Sequence, residues 1–135
     1  MPINSVNEGA EAATTLCSKK VDAIEIYGNA AHAAFASIIK VTTENKVPVF
    51  SPSPFEVMKG AVAAFYPDFQ EGGVEAGKMI GRILLGESPA NMPFFRLQTT
   101  KLAVNQAGAA KVGVTVPPDV VKEAGTSAPE STKHQ

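Results

Sequence analysis

Three short polar and aromatic clusters carry the side chains best suited to chemistry. They are Tyr27-Gly28-Asn29, Ser51-Pro52-Ser53-Pro54-Phe55 and Tyr66-Pro67-Asp68-Phe69. Together they offer serine hydroxyls, one amide, one carboxylate and several rings. That mix suits the non-covalent holding of a small polar solute with an apolar body. A few polar groups fix its orientation and the rings wall the rest. The candidate ligand contacts are Tyr27, Asn29, Ser53, Phe55, Tyr66, Asp68 and Phe69. Asn29, Ser53 and Asp68 are also helix-capping residue types, and capping and ligand contact can coexist.

Catalysis finds little support in the same residues. The chain holds no G-x-S-x-G, no G-x-x-x-x-G-K-[ST] and no H-E-x-x-H. The first turn after a strand reads Y-G-N-A-A-H rather than G-x-G-x-x-G, so no dinucleotide cofactor is expected. The two histidines, His32 and His134, lie far apart in sequence. His32 falls in the first turn of a helix and reads as a surface or packing residue. Asp68 has no evident partner base or nucleophile, so no catalytic residue is assigned. No metal ligands recur at a recognised spacing. The single Cys17 permits no internal disulfide and reads as a small buried residue on a helix.

The elements that must position the clusters alternate strand and helix. Ser5 and Glu8 fit a capping box opening a first helix, with Val6, Ala10, Ala13 and Leu16 on one face. A strand over Val21–Tyr27 follows. Asn29 then caps a helix running to about Asn45, with Ala31, Phe35, Ile38 and Thr42 on its apolar face. Pro48 opens a second strand through Phe50, since proline cannot donate to a ladder. Ser53 and Pro54 start a short helix over Phe55–Lys59 that stops at Gly60. Ala61–Tyr66 is a third strand. Asp68 caps a helix that runs to about Leu85 and stops at Gly86. Gly73, Gly77 and Gly81 fall four apart along it, a spacing that reads as close packing on a sheet. Further on, a loop spans 87–93, a strand covers Leu102–Val104, and short helices cover Gln106–Lys111 and Val120–Ala124.

This order predicts an α/β fold, three layers with a mostly parallel sheet and flanking helices. In such sheets ligands bind at the carboxyl ends of strands, where all three clusters fall. The helix N-termini there would add free N–H groups suited to an anion. Residues 1–124 form the folded part, and 125–135, polar and proline-containing, read as a disordered tail.

Bulk properties are those of an ordinary globular chain. It has 135 residues, 44% apolar and 19% charged, and a net charge of −1. Nothing favours nucleic acid or an anionic membrane, since both call for clustered positive charge. No run approaches the ~18 apolar residues of a membrane span. The start, Met-Pro-Ile-Asn-Ser, has neither the basic region nor the apolar stretch of a signal peptide.

One ordered set of motifs goes further. V-D-A-I-E-I-Y-G-N is followed by K-V-P-V-F, then V-M-K-G-A-V-A-A-F-Y-P-D-F. After these come G-K-M-I-G-R-I-L-L-G-E-S-P-A-N-M-P and L-A-V-N-Q-A-G-A-A-K-V-G-V-T-V-P. The set resembles the C-terminal portion of the substrate-binding proteins of ABC transporters, the type-B periplasmic kind associated with tryptophan and tyrosine. The resemblance covers roughly residues 5–124. That family shows V-D-A-I, a D-N dipeptide, I-P-V-F, V-x-x-G-A, a D-Y pair, L-x-G-E-x-P-A-x-x-P and V-N-x-x-A-A-x-x-L-G.

The resemblance implies a two-lobed receptor, periplasmic or anchored outside the cytoplasm, that closes on a solute and docks on an ABC permease. Asn29 matches the family's asparagine, Ser53 falls in its serine-rich loop, and Asp68 matches the aspartate that would hold a solute ammonium. Phe69 replaces the usual tyrosine, Gly28 the usual aspartate, and Pro52 and Pro54 stiffen the loop between them. The resemblance also implies an incomplete lobe, lacking two strands that would lie beyond Ala23–Tyr27. The exposed sheet edge would then favour a homodimer. A ligand-sensing module of a regulator or receptor with the same fold is the alternative reading.

Overall fold

A computed structural model describes residues 1–124; the expected tail over 125–135 lies outside the described residues. Four strands form one sheet in the order β1-β2-β3-β4, with β1 at Ile24–Glu25, β2 at Val49–Ser51, β3 at Ala63–Pro67 and β4 at Thr100–Val104. The first three are parallel. Ile24 lies beside Val49, Phe50 beside Ala63, and Ser51 beside Ala64. The fourth returns: Asn105 N–H donates to Val62 O and Asp68 N–H to Thr99 O, so residue numbers rise on one strand as they fall on the other. With its flanking helices this is the expected mostly parallel α/β architecture. β1 pairs only with β2, which leaves its outer edge unpaired among the described residues.

The contacts divide the described residues into two compact units, 1–65 with 102–124, and Tyr66–Lys101. The first unit holds the core. Val49 and Val57 are 1% and 0% exposed, and Ile26, Phe35, Ile38, Ala61 and Ala64 are buried with them. Such close packing makes each buried methyl matter. A smaller cluster joins Val62, Ala109 and Val112, with Val114 and Val116 against it.

Helix α1, Gly9–Ser18, packs chiefly against α3, Phe35–Glu44. Its buried face is Gly9, Ala12 and Ala13, whereas Val6 is exposed. Ala13 is thus buried as expected, Ala10 and Leu16 are only half-buried, and a single turn of 3-10 helix over Val6–Glu8 precedes α1. The expected capping box does not form. Glu8 accepts from Ser5 Oγ and from the Asn4 N–H, but the Ser5 side chain caps no backbone group.

The helix expected from Asn29 to Asn45 is two helices. α2 covers Asn29–Ala33 and ends at Ala34, where α3 begins. Phe35, Ile38 and Thr42 are buried as expected. α4 is the short helix Pro54–Met58, with proline at its first position. Gly60 at φ 126° turns the chain away from it. Two further helices of the first unit are α6, Gln106–Lys111, and α7, Pro118–Glu123. Asn105 caps α6 by accepting from the Gly108 N–H at 2.7 Å, and its Nδ2 donates to Val57 O at 2.7 Å. One side chain thereby ties α6 to α4.

The second unit contains α5, Phe69–Leu84, which stops before Gly86 at φ 99° as the sequence predicts. The reading of Gly73, Gly77 and Gly81 as a packing stripe does not hold. A Cβ at any of the three would meet nothing within 4 Å among the described residues. No residue of α5 is buried, and of its glycines only Gly72 has a close neighbour among the described residues, Leu97. Among the described residues no helix is long and apolar enough to cross a membrane.

Candidate functional site

In the first unit, the carboxyl ends of β1 and β2 carry the first two clusters. A cavity of about 440 Å³ opens beside β1. Ile24, Ile26, Ala12, Leu16 and Ile38 give it an apolar wall, and Tyr27, Gly28 and Asn29 bring polar groups to it. That size and lining fall within the range of small-molecule pockets. The cavity joins Tyr27 and Asn29 but not Ser53 or Phe55, which belong to the β2–α4 turn and α4.

The capping reading separates the three polar candidates. Asn29 is the first residue of α2 rather than its cap. Gly28, at φ 90°, holds the cap position. Ser53 does occupy the cap position of α4, yet its side chain makes no capping bond. Neither α2 nor α4 spans more than 5 residues, so the dipole available to an anion at either end is small. The amide of Asn29 and the hydroxyl of Ser53 are therefore not used in ending a helix. Tyr27 and Phe55 are strongly exposed, at 84% and 66%.

Sequence reasoning missed a polar network in the same place. Glu56 of α4 is buried, and both of its carboxylate oxygens are engaged. Oε1 lies 2.9 Å from His32 Nδ1, and Oε2 accepts from Ser51 Oγ. Ser51 Oγ in turn accepts from the Ser53 N–H at 3.0 Å. The turns after β1 and β2 are thus linked through one buried carboxylate. The signal was faint, because Glu56 looks like an ordinary first-turn acid of a short helix. Only the fold brings it beside His32, 24 residues earlier.

The second unit carries the third cluster. Asp68 caps α5, its Oδ1 accepting from Gln70 N–H at 2.9 Å and Glu71 N–H at 3.3 Å. Its Oδ2 lies 2.9 Å from Lys101 Nζ, a partner the sequence did not reveal. Tyr66 and Phe69 stack with ring centroids 5.9 Å apart and planes 25° from parallel.

The hydrogen bond from Lys101, with help from the Glu71 and Gln70 N–H groups and the Lys101 charge, holds the Asp68 carboxyl below its usual range. The same bond raises Lys101. A carboxyl depressed by folding adds stability above its unfolded pKa of about 3.9, and that stability is lost as pH falls through the lower folded value. The Gln70 amide resonance should accordingly titrate with a midpoint below about 3.9, and Lys101→Ala should move that midpoint upward. A midpoint unmoved by Lys101→Ala would refute the assigned cause.

Among the described residues no three acidic, histidine or cysteine side chains gather as a metal site. The arrangement offers rings, amide, hydroxyls and carboxylates, which is chemistry for holding a solute.

Residues 1–128 match the sequence profile of a family described as ABC transporter substrate binding protein. A tyrosine-binding protein from Clostridioides difficile (strain R20291) is 30% identical over 69 residues, which is 51% of this chain and 20% of that protein. A crystal structure from Streptococcus pneumonia, an ABC domain in complex with L-Trp, has a TM-score of 0.78 and 34% identity. The match covers 91% of this chain and 43% of that one. The ligand-free, open structure of a Clostridium difficile substrate binding protein with adhesive properties gives a TM-score of 0.66 and 29% identity, over 87% of this chain and 40% of that one. A conserved domain protein from Vibrio cholerae, 24% identical with a TM-score of 0.79, shares the fold. This chain thus spans less than half the length of each of these relatives.

Proposed function

The chain belongs to the ABC transporter substrate-binding protein family, and on that premise we propose that it binds an aromatic amino acid or a close relative for import. The observation that carries this reading is the similarity, over 91% of this chain, to a structure holding L-Trp. The cavity beside β1, with Tyr27 and Asn29 at an apolar wall, supports it.

In this reading residues 1–124 supply part of the C-terminal lobe of a two-lobed receptor working outside the cytoplasm. Tyr27, Asn29, Ser53 and Phe55 contact solute from the first unit. Tyr66, Asp68 and Phe69 are the candidate contacts that the second unit carries. An ABC permease is the downstream partner, and the unpaired edge of β1 receives a further strand, from a second copy when the chain is alone. The protein does no covalent chemistry on its solute.

A thermal-shift screen against amino acids, purines and small organic acids tests the proposal. Ligand that binds only the folded state raises the unfolding midpoint with concentration. A saturable rise for L-tryptophan or L-tyrosine is expected. A rise confined to purines or organic acids would reject the solute class. Light scattering on the same sample reads the dimer.

A further inference from the structure

Glu56 is a buried carboxylate without a lysine or arginine partner among the described residues. Its side chain is 7% exposed, and its one ion-pair candidate is His32, 32% exposed. Burying a carboxylate is costly unless its charge is answered, and an apolar residue would serve stability as well. Its place in the fold adds to this. Glu56 joins the turns after β1 and β2, where ligand contacts are expected, through Ser51 and His32.

The geometry fixes what His32 can offer. A carboxylate can only accept, so His32 Nδ1 carries the hydrogen that Glu56 Oε1 receives at 2.9 Å. In the neutral ring that choice leaves Nε2 as an acceptor with a lone pair. Nε2 has no partner among the described residues, whereas every buried side-chain nitrogen or oxygen there has one, so Nε2 is open to solvent. A carboxylate behind an imidazole makes the far nitrogen a stronger acceptor and draws a cation to it. Asp68 is less free for the same task. Both of its oxygens are engaged, one by the α5 amides and one by Lys101, whose own charge repels an ammonium.

We propose that the Glu56–His32 pair is the subsite for the solute's protonated amine, which donates to His32 Nε2 while Glu56 supplies the opposing charge. This rests on the solute-binding reading above and adds the group that selects amines. His32 is the contact residue, and Glu56 and Ser51 position it.

The test compares L-tyrosine with its deaminated analogue, 3-(4-hydroxyphenyl)propionate, by calorimetric titration of the wild type, Glu56→Gln and His32→Gln. The wild type should bind L-tyrosine at least about tenfold more tightly, the size expected of a charge-assisted hydrogen bond. Both variants should lose that preference while still binding the analogue. Equal binding of the two ligands by the wild type, or an unchanged preference in folded variants, overturns the inference and leaves the solute-binding reading standing. Binding of neither by the wild type removes both. Imidazole 15N NMR provides a readout that needs no folded variant. The His32 Nε2 resonance should shift on addition of L-tyrosine and not of the analogue, and an Nε2 that does not respond, or that responds to both, overturns the assignment.

Discussion

Gly9→Val should lower the thermal unfolding midpoint by roughly 10 °C, equivalent to about 3 kcal/mol of lost stability. Gly9 is buried where α1 meets the α2–α3 junction. A Cβ there would lie 2.5 Å from Ala34 Cβ, 3.2 Å from Ser37 Oγ and 3.3 Å from Ile38 Cγ1. Ala34 is itself buried at the joint between two helices, so it cannot swing aside without moving backbone. Valine has better helix propensity than glycine, but that gain is only about 0.5 kcal/mol and does not offset the overlap. A thermal melt decides the matter. An unchanged midpoint would mean that α1 and the α2–α3 joint do not approach as closely as described.

Asn105→Ala should cost about 2 to 3 kcal/mol, through loss of a helix cap and of a second hydrogen bond to buried backbone. The cap bond to Gly108 N–H and the bond to Val57 O are both 2.7 Å. The substitution removes the shorter of two bonds to the Val57 carbonyl, which keeps only the Gly60 N–H at 3.2 Å, and Val57 itself is 0% exposed. Gly108 sits so near that a Cβ there would lie 2.9 Å from Asn105 Nδ2 and 3.0 Å from Gly60 O. Urea unfolding gives the number. A loss under about 0.5 kcal/mol would show that the link between α4 and α6 carries little load.

The sequence made the alternation of strands and helices legible because each boundary carries its own chemistry. Pro48 precedes β2, Pro54 opens α4, and Asp68 caps α5 with two bonds from its side chain. Gly60 and Gly86 stop helices at positive φ, a conformation that favours residues without a Cβ. The break at Ala34 was not legible, because Ala33, Ala34 and Phe35 carry no breaker and the apolar spacing runs on through them. The exposure of Val6 also escaped, since it lies in a 3-10 turn ahead of α1 rather than in the helix itself. The glycine stripe of α5 misled for a different reason. Spacing tells which residues share a face, but not whether anything covers it.

The candidate positions were legible in the same uneven way. Strand ends are local features, and so Tyr27, Asn29, Ser53 and Phe55 could be placed near them from sequence. Partners that meet only through the fold could not. Glu56 and His32 lie on different helices, and Lys101 reaches Asp68 from 33 residues away. The family resemblance underlies the proposed solute-holding role, and the separate matches to proteins that bind tyrosine or hold L-Trp narrow the ligands to try.

Calorimetric titration of this chain with L-tryptophan and L-tyrosine tests the central claim most directly. The account predicts saturable heat with one of them at one solute per chain, lost when Asn29 is replaced by alanine in a folded protein. A folded sample that gives no heat with either amino acid would contradict it.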